Sequence, residues 1–98
     1  MSFSVRVSNY QENAMLNICD AELLGKKIIQ DGLNMHISES YYGEKLIDKE
    51  EAKSLLKNSS IINMVGKKVV SLSIELGIGS ENGIKTISDV PFLLIFKI

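Results

Sequence analysis

Residues that could begin a helix with an anion site at its N-terminus lie together between positions 20 and 26. Asp20, Glu22, Gly25 and Lys26 fall in one short segment. A helix that begins here would present free backbone amides, and with Lys26 nearby it would attract a phosphate or carboxylate. The same residues also describe a capped one-turn helix, with Asp20 as its N-cap, Gly25 at its end and Lys26 beside the negative pole of its dipole. Because Asp20 would repel an anion, the structural interpretation is favoured.

A second segment can bind a planar ligand. Glu39, Tyr41, Tyr42 and Gly43 form a polar and aromatic loop. Neighbouring side chains of an extended chain point to opposite sides, so one ring is expected in the core and the other half covered. Alternatively, one ring stacks on a nucleotide base, an interaction of about 1–3 kcal/mol per base. The structural interpretation is favoured, and the binding interpretation stays open.

Asn63, Gly66 and Lys67 form a third segment. If a helix begins at Ser60, Asn63 lies at its third position and completes the N-terminal cap. Otherwise a buried Asn63 needs partners, because an unmet buried amide costs about 1–3 kcal/mol. Backbone groups of the loop from 38 to 43 are the expected partners. A structural role is favoured for this segment.

The lysines offer a route to nucleic acid. Lys26, Lys27, Lys45, Lys67 and Lys68 would bind RNA with salt-sensitive affinity if the fold gathered them into one patch. The chain has 11 lysines and arginines against 12 acids, a net charge of −1. A chain without a basic excess has no general attraction for nucleic acid, so dispersed, solvated lysines are the default expectation.

Cys19 and His36 are the single cysteine and the single histidine. They are too few for a zinc site, and no spacing pairs them as nucleophile and base. A lone cysteine allows no internal disulfide and is typical of a reducing compartment. The longest apolar run, from Val90 to Phe96, is far shorter than a membrane helix needs. We expect a cytoplasmic protein without metal, cofactor or membrane contact.

The elements that position these residues follow from hydrophobic spacing. A length of 98 residues predicts one domain, 1–98. Asp48 and Glu51 resemble a capping box at the start of a helix. The predicted fold class is α+β, with a small, mostly antiparallel sheet of about five strands packed against two main helices, at about 48–57 and 60–76. Strands are expected at 3–7, 14–19, 33–37, 45–47, 84–87 and 92–98, with Pro91 breaking the chain before the last one.

Three segments in this order resemble one family: Cys19–Lys26, Ser38–Gly43 and Ile62–Gly66. They are similar to the archaeal family called domain of unknown function 424. The resemblance implies a compact cytoplasmic archaeal protein, often encoded near translation genes, with no established reaction. The family pattern usually has a polar residue, often histidine, after the proline near the C-terminus. Phe92 follows Pro91 here, so a site that used that polar group is not expected in this chain.

The leading functional hypothesis is a non-catalytic interaction module that binds RNA or a protein of the archaeal translation apparatus. Its basis is the Tyr41–Tyr42 loop, the paired lysines and the lack of a catalytic set. The first alternative is a homo-oligomer assembled through Phe92–Ile98, a strand apolar on both faces. The second is a small-ligand binder or enzyme that uses Asp20, Glu39, Asn63 and Lys67.

Overall fold

The structure, a computed structural model, describes residues 2–97. Within that range it contains eight strands and three α-helices. The strands are β1 (Ser2–Tyr10), β2 (Asn13–Asp20), β3 (Lys27–Gln30), β4 (Leu33–His36), β5 (Lys45–Asp48), β6 (Ile61–Val65), β7 (Lys85–Ile87) and β8 (Val90–Phe96). The helices are α1 (Glu39–Tyr42), α2 (Lys49–Asn58) and α3 (Lys67–Glu75), and short 3₁₀ turns lie at Ala21–Leu23 and Glu81–Gly83.

Six strands form the main sheet in the order β5-β1-β2-β6-β8-β7, and β3 and β4 form a separate two-stranded ribbon. Only the contact between β2 and β6 is parallel, while the other pairs are antiparallel. The predicted α+β class and the mostly antiparallel sheet are therefore confirmed. The sheet has six strands rather than about five, and the 33–37 segment belongs to the ribbon instead.

The two faces of the main sheet are covered differently. Helices α2 and α3 pack on the first face, over a core that includes Phe3, Leu16 and Ile62. The second face carries Cys19 and Val65 near the ends of β2 and β6, and a smaller cluster of side chains from the ribbon, α1 and the turn at Ala21–Leu23 packs against them. That smaller layer covers only one end of the second face.

The predicted helix at 60–76 is wrong over its first third. Residues Ile61–Val65 form a central strand, and the helix begins only at Lys67. The apolar run Ile61 to Val65 places side chains on both buried faces of a sheet, which a helix-period analysis mistakes for one wide stripe. Gly66 has a φ of +122°, outside the helical region, and separates the two elements.

The other predicted elements differ from the structure in their boundaries and in the role of Pro91. The helix predicted at 48–57 is α2, and Asp48 Oδ1 accepts the Glu51 amide at 2.9 Å as its N-cap. The turn between β1 and β2 is shorter than the gap between the predicted strands 3–7 and 14–19, since only Gln11 and Glu12 lie outside the strands. Pro91 does not break the chain before the last strand: it lies within β8, opposite Thr86 of β7. Met1 and Ile98, the ends of the predicted domain, lie outside the described residues.

Candidate functional site

Asp20 caps a helix that is distant from it in sequence. It ends β2, and the parallel neighbour β6 leads through Gly66 into α3, so the start of α3 lies beside the end of β2. The two carboxylate oxygens accept the backbone amides of Lys68 at 3.0 Å and Val69 at 2.9 Å. The predicted cap of the turn at Ala21–Leu23 is wrong in this respect, because the Asp20 side chain makes no hydrogen bond there.

Asp20 can lie this close to the start of α3 because Gly66 has no side chain. A Cβ atom at Gly66 would lie 2.5 and 2.7 Å from the two oxygens of Asp20, closer than van der Waals contact permits. The Gly66 amide donates to the Pro91 carbonyl at 2.9 Å, which ties the junction to β8. Burial raises the pKa of the Asp20 carboxyl, and the hydrogen bonds from the Lys68 and Val69 amides oppose that rise.

A groove of about 340 Å³ lies beside this junction. The groove is lined by Asp20 and Glu22, by Lys67 and Lys68 of α3, and by the segment Ser88–Pro91. Lys68 Nζ lies 2.7 Å from Glu22 Oε1, and this ion pair lowers the pKa of Glu22 and raises the pKa of Lys68. Because the Lys68 and Val69 amides of α3 already bind the chain's own carboxylate, they are not free to bind an anion in this groove.

The candidate lysines do not all have the same partners. Lys26 lies close enough to Glu22 to lower its pKa, as Lys68 does. Lys45 lies on the outer strand β5, where its Nζ is 2.8 Å from Glu51 Oε2, an ion pair that raises the pKa of Lys45. Lys27 is exposed on β3, opposite His36 of β4. Lys45 is therefore paired with Glu51, whereas Lys26 and Lys68 lie beside Glu22.

Tyr41 and Tyr42 divide as predicted between surface and core. Tyr42 is 8% exposed and Tyr41 55%. They lie in a one-turn helix rather than in an extended loop, with ring centroids 6.3 Å apart. Gly43 closes this turn by donating its amide to the Glu39 carbonyl at 2.8 Å, and a Cβ at Gly43 would collide with Glu39. Glu39 and Gly43 therefore shape the turn that places Tyr42.

Asn63 is the centre of a polar network on the second face. Its Nδ2 donates to Asn17 Oδ1 at 3.2 Å and to the Tyr42 hydroxyl at 2.8 Å. Asn17 is fully buried, and its Nδ2 donates to Ser8 Oγ at 2.9 Å. The predicted partner of Asn63 in the 38–43 segment is confirmed, although it is a side chain and not the backbone. Burial raises the pKa of Tyr42 to about 12.

Sequence reasoning missed Asn17. Asn17 lies in the alternating segment Met15, Asn17, Cys19, which predicts one face of a strand. An amide on that face signals a buried polar contact, and the register of β2 and β6 places Asn17 directly beside Asn63. That register could not be foreseen while Asn63 was assigned to a helix.

Beyond this network, the second face of the sheet is uncovered. We call this area the open half, and it consists of exposed or half-exposed side chains on one face: Arg6, Tyr10, Met15, Leu94 and Phe96. Leu94 lies directly across from Asn63, and Phe96 follows two residues later on β8. The Tyr10 and Phe96 ring centroids are 5.9 Å apart. Leu94 and Phe96 are 53% and 52% exposed, so the open half presents apolar surface to solvent.

Neither Cys19 nor His36 forms a reactive pair. Cys19 is fully buried, and burial raises the pKa of its thiol to about 12. His36 is exposed on the ribbon. No group of three or more histidine, cysteine or acidic side chains within residues 2–97 is placed to hold a metal ion. In the same range, no helix combines the length and apolar character needed to cross a membrane.

Comparison with known proteins places the chain in a family. The family described as "Protein of unknown function (DUF424)" matches residues 8–98. The chain belongs to this family. The fold is similar to that of a crystal structure of an uncharacterized conserved protein from Methanopyrus kandleri, with a TM-score of 0.75 and 22% identity over 100% of this chain and 95% of that one. No functionally curated protein matches. The resemblance seen in the three sequence segments is thereby confirmed.

Proposed function

We propose that this DUF424 protein is a non-catalytic interaction module that binds a protein partner through the open half of its sheet. The observation that carries the proposal is the exposed apolar group formed by Tyr10, Leu94 and Phe96 on one continuous face. Contiguous exposed apolar side chains with aromatic rings are typical of protein interfaces. The family resemblance makes the translation apparatus the first place to seek that partner.

The charge of the open half favours protein over RNA. Arg6 is its one basic residue, and Arg6 lies 3.8 Å from Glu44 Oε2. Lys67 and Lys68 follow the carboxyl end of β6, whereas Phe96 pairs with Ile61 at its amino end. RNA binding draws most of its affinity from phosphate contacts with lysine and arginine, and this face offers few. The exposed rings would still permit base stacking, so RNA is an outcome of the test.

Self-association through β8 is the second candidate. Strand β7 pairs only with Val90–Phe92, so residues 93–96 have a strand partner on one side alone. Lysines commonly protect such an edge, but Lys97 Nζ is bound to the carbonyls of Leu56 and Lys57 at 2.6 and 3.0 Å. This edge adjoins the open half, and the same variants test both candidates. Ile98, the last residue of the predicted assembly strand, lies outside the described residues.

The set Asp20, Glu39, Asn63 and Lys67 is not brought into one site. Asp20 and Lys67 share the groove beside α3, and neither Glu39 nor Asn63 lines it. The proposed function therefore assigns no reaction to these residues.

Peptide selection on the purified protein tests the proposal. A random peptide library is selected on the wild-type chain, and affinities of the enriched peptides are measured by fluorescence anisotropy. Apolar peptides should be enriched, and the double variant Leu94→Ser/Phe96→Ser should weaken their binding by about tenfold or more, as expected for central interface side chains. Leu46→Ser is the matched control, because Leu46 is also exposed on a strand but at the far edge of the sheet.

Each other outcome points elsewhere. If labelled single-stranded RNA binds at low salt and the double variant abolishes that binding, the module binds RNA and the protein proposal is overturned. If light scattering shows a wild-type dimer that the double variant converts to a monomer, the second candidate is correct. Equal peptide binding by the double variant and by Leu46→Ser excludes the open half as the interface.

A further inference from the structure

Strand β8 has one side that is only half paired. Strand β6 pairs with β8 on its inner side as far as Phe96, whereas β7 pairs on its outer side with Val90–Phe92 alone. The Lys97 amide donates to the Ser60 carbonyl at 2.8 Å. In an antiparallel pair, every second residue turns its N–H and C=O towards the neighbouring strand. Counting back from Lys97, the main chain of Leu94 and Phe96 therefore points outward, away from β6.

The outward main-chain groups of Leu94 and Phe96 have no partner in the chain. Strand β7 begins at Lys85, and within residues 2–97 no backbone group binds the outward N–H and C=O groups of these two residues. In the register of β7 with β8, Gly83 would lie opposite Leu94. The Gly83 amide instead donates to the Ser80 carbonyl at 3.1 Å, in a 3₁₀ turn. Two donors and two acceptors therefore remain free along this edge.

Residues 93–96 lack the features that usually protect a strand edge. Such edges are commonly blocked by charged side chains, by proline or by a bulge. The four residues are all apolar, and the neighbouring Lys97 binds the last carbonyls of α2 with its side chain. Strand β5, at the opposite end of the sheet, carries Lys45 and Asp48 and leads directly into α2. The edge of β8 is therefore open to an added strand, whereas charged residues flank the edge of β5.

An extended peptide matches this edge. The N–H and C=O groups of a strand point to the same side at every second residue, which is the spacing of Leu94 and Phe96. We propose that the partner of the open half contributes an extended segment that pairs with Leu94 and Phe96 and adds a strand beside β8. Its alternate side chains lie next to Leu94 and Phe96, so main-chain bonds supply affinity and these side chains supply specificity. This inference rests on the proposed function and names the conformation in which the partner binds.

A peptide of defined sequence tests the inference by NMR titration of the full chain. The parent probe is acetyl-Lys-Thr-Val-Thr-Val-Thr-Lys-amide, whose valines share one face when the peptide is extended. One analogue is N-methylated at both valines, and the other at the two threonines that follow a valine. Each analogue loses N–H groups from one edge of the peptide only. One analogue should bind about tenfold more weakly than the parent, as expected for two lost hydrogen bonds, and the other should bind as the parent does.

Amide hydrogen exchange locates the added strand on the protein. In the free chain, the Leu94 and Phe96 amides should exchange at least about tenfold faster than those of Leu93 and Ile95, which face β6. When roughly nine-tenths of the chain is bound to the parent peptide, exchange at Leu94 and Phe96 should slow by about tenfold, because it then proceeds through the free form. The amide of Leu46 on β5 is the control and should not change.

Two variants at one position separate the main chain from the side chain. Leu94→Pro and Leu94→Ala both remove the leucine side chain, but only proline removes the outward N–H. A proline whose missing N–H faces away from the neighbouring strand costs no hydrogen bond of the sheet. Leu94→Pro should bind the parent peptide about fivefold more weakly than Leu94→Ala, the effect of one hydrogen bond. Should Leu94→Pro fail to fold, the N-methylated peptides and the exchange of the wild-type amides still decide.

The outcomes separate this inference from the proposed function. If the parent peptide does not bind at millimolar concentration, if both N-methylated analogues bind alike, or if exchange at Leu94 and Phe96 does not slow, strand addition is wrong. Selected peptides that still lose affinity on Leu94→Ser/Phe96→Ser would then leave the proposed function standing. A wild-type dimer that protects the Leu94 and Phe96 amides without peptide would assign the edge to a second copy and overturn the inference.

Discussion

Asp20 shows how one side chain can join two elements that are distant in sequence. Its carboxylate accepts two amides of α3 while its backbone ends β2, and Gly66 leaves the space it occupies. A two-amide cap requires two acceptor oxygens. Asparagine has only one, and its NH₂ group would face the second amide donor. The junction between β2, β6 and α3 therefore depends on a carboxylic acid at this position.

The variant Asp20→Asn should lower the free energy of unfolding by about 1–2 kcal/mol, in the range of a lost helix cap. Asp48→Asn is the matched control: Asp48 accepts the single amide of Glu51, and an asparagine can keep that bond. Asp48→Asn should therefore lower the free energy of unfolding by at most a few tenths of the loss expected for Asp20→Asn. Urea unfolding monitored by circular dichroism measures both. Equal losses in the two variants would show that the second amide contact of Asp20 contributes nothing.

The pH dependence of that loss follows from the raised pKa of Asp20. An acid whose native pKa exceeds its unfolded value binds its proton more tightly in the native state. The extra stability that comes from this bound proton is therefore present at pH below the ordinary value of 3.8 and is lost as pH rises through the native pKa. The stability difference between wild type and Asp20→Asn should shrink across this window. A difference that grows with pH would mean that the two amides and the helix dipole outweigh burial.

Sequence reasoning identified residues more reliably than their partners. Asp20, Gly66 and Asn63 were all singled out, because carboxylates, glycines and amides beside apolar runs signal caps, close approaches and buried contacts. Their partners depend on the parallel register of β2 with β6, which no local pattern encodes. Asn17 was missed for the same reason. Leu94 and Phe96 of the open half lie in the strand that was predicted as an assembly surface, whereas the contribution of Tyr10 was missed, since it depends on how far the other layer extends over the sheet.

At the scale of elements, the sequence analysis assigned β6 and the start of α3 wrongly for two different reasons. Strand β6 is buried on both faces and so has no alternation to recognise. Helix α3 has no capping residue immediately before it, because its cap comes from Asp20 in another strand. A helix whose cap is remote shows no start signal in its own sequence, so the apolar run before it appears to belong to it.

The turn between β1 and β2 carries backbone strain that substitution should relieve. Gln11 and Glu12 have φ values of 49° and 70°, a conformation that asparagine and glycine adopt at little cost. The ribbon already uses Asp31 and Gly32 at φ values of 50° and 82°. Gln11→Asn/Glu12→Gly should raise the free energy of unfolding by about 1 kcal/mol, the lower range for such strain.

Urea denaturation of the turn variant measures that gain. The reverse change in the ribbon, Gly32→Glu, is the control and should destabilise the protein by a similar amount for the same reason. A turn variant no more stable than wild type would indicate that contacts of the Gln11 and Glu12 side chains compensate for the strained backbone.

At the scale of the whole molecule, the fold is a six-stranded sheet with one complete cover and one partial cover. Helices α2 and α3 close the first face, whereas the ribbon, α1 and the turn at Ala21–Leu23 close only part of the second. The smaller layer buries fewer apolar side chains, and regions with fewer such contacts open at lower free energy. Opening of this layer alone would expose Cys19 while leaving the helical face intact.

Cys19 reports whether the ribbon opens by itself or only with the whole sheet. At pH 8 its thiolate fraction should be about a thousandfold below that of an ordinary thiol, because its pKa is raised from 9.0 to about 12, and only the thiolate reacts. Iodoacetamide labelling should therefore be slow, whereas a cysteine placed at the exposed Val7 in a Cys19→Ala background should react rapidly.

Gln11→Asn/Glu12→Gly stabilises the main sheet without touching the ribbon. Labelling of Cys19 slowed about fivefold by that variant would indicate global unfolding, since 1 kcal/mol changes the open population by that factor. We expect an unchanged rate, because the ribbon opens while β1 and β2 stay paired.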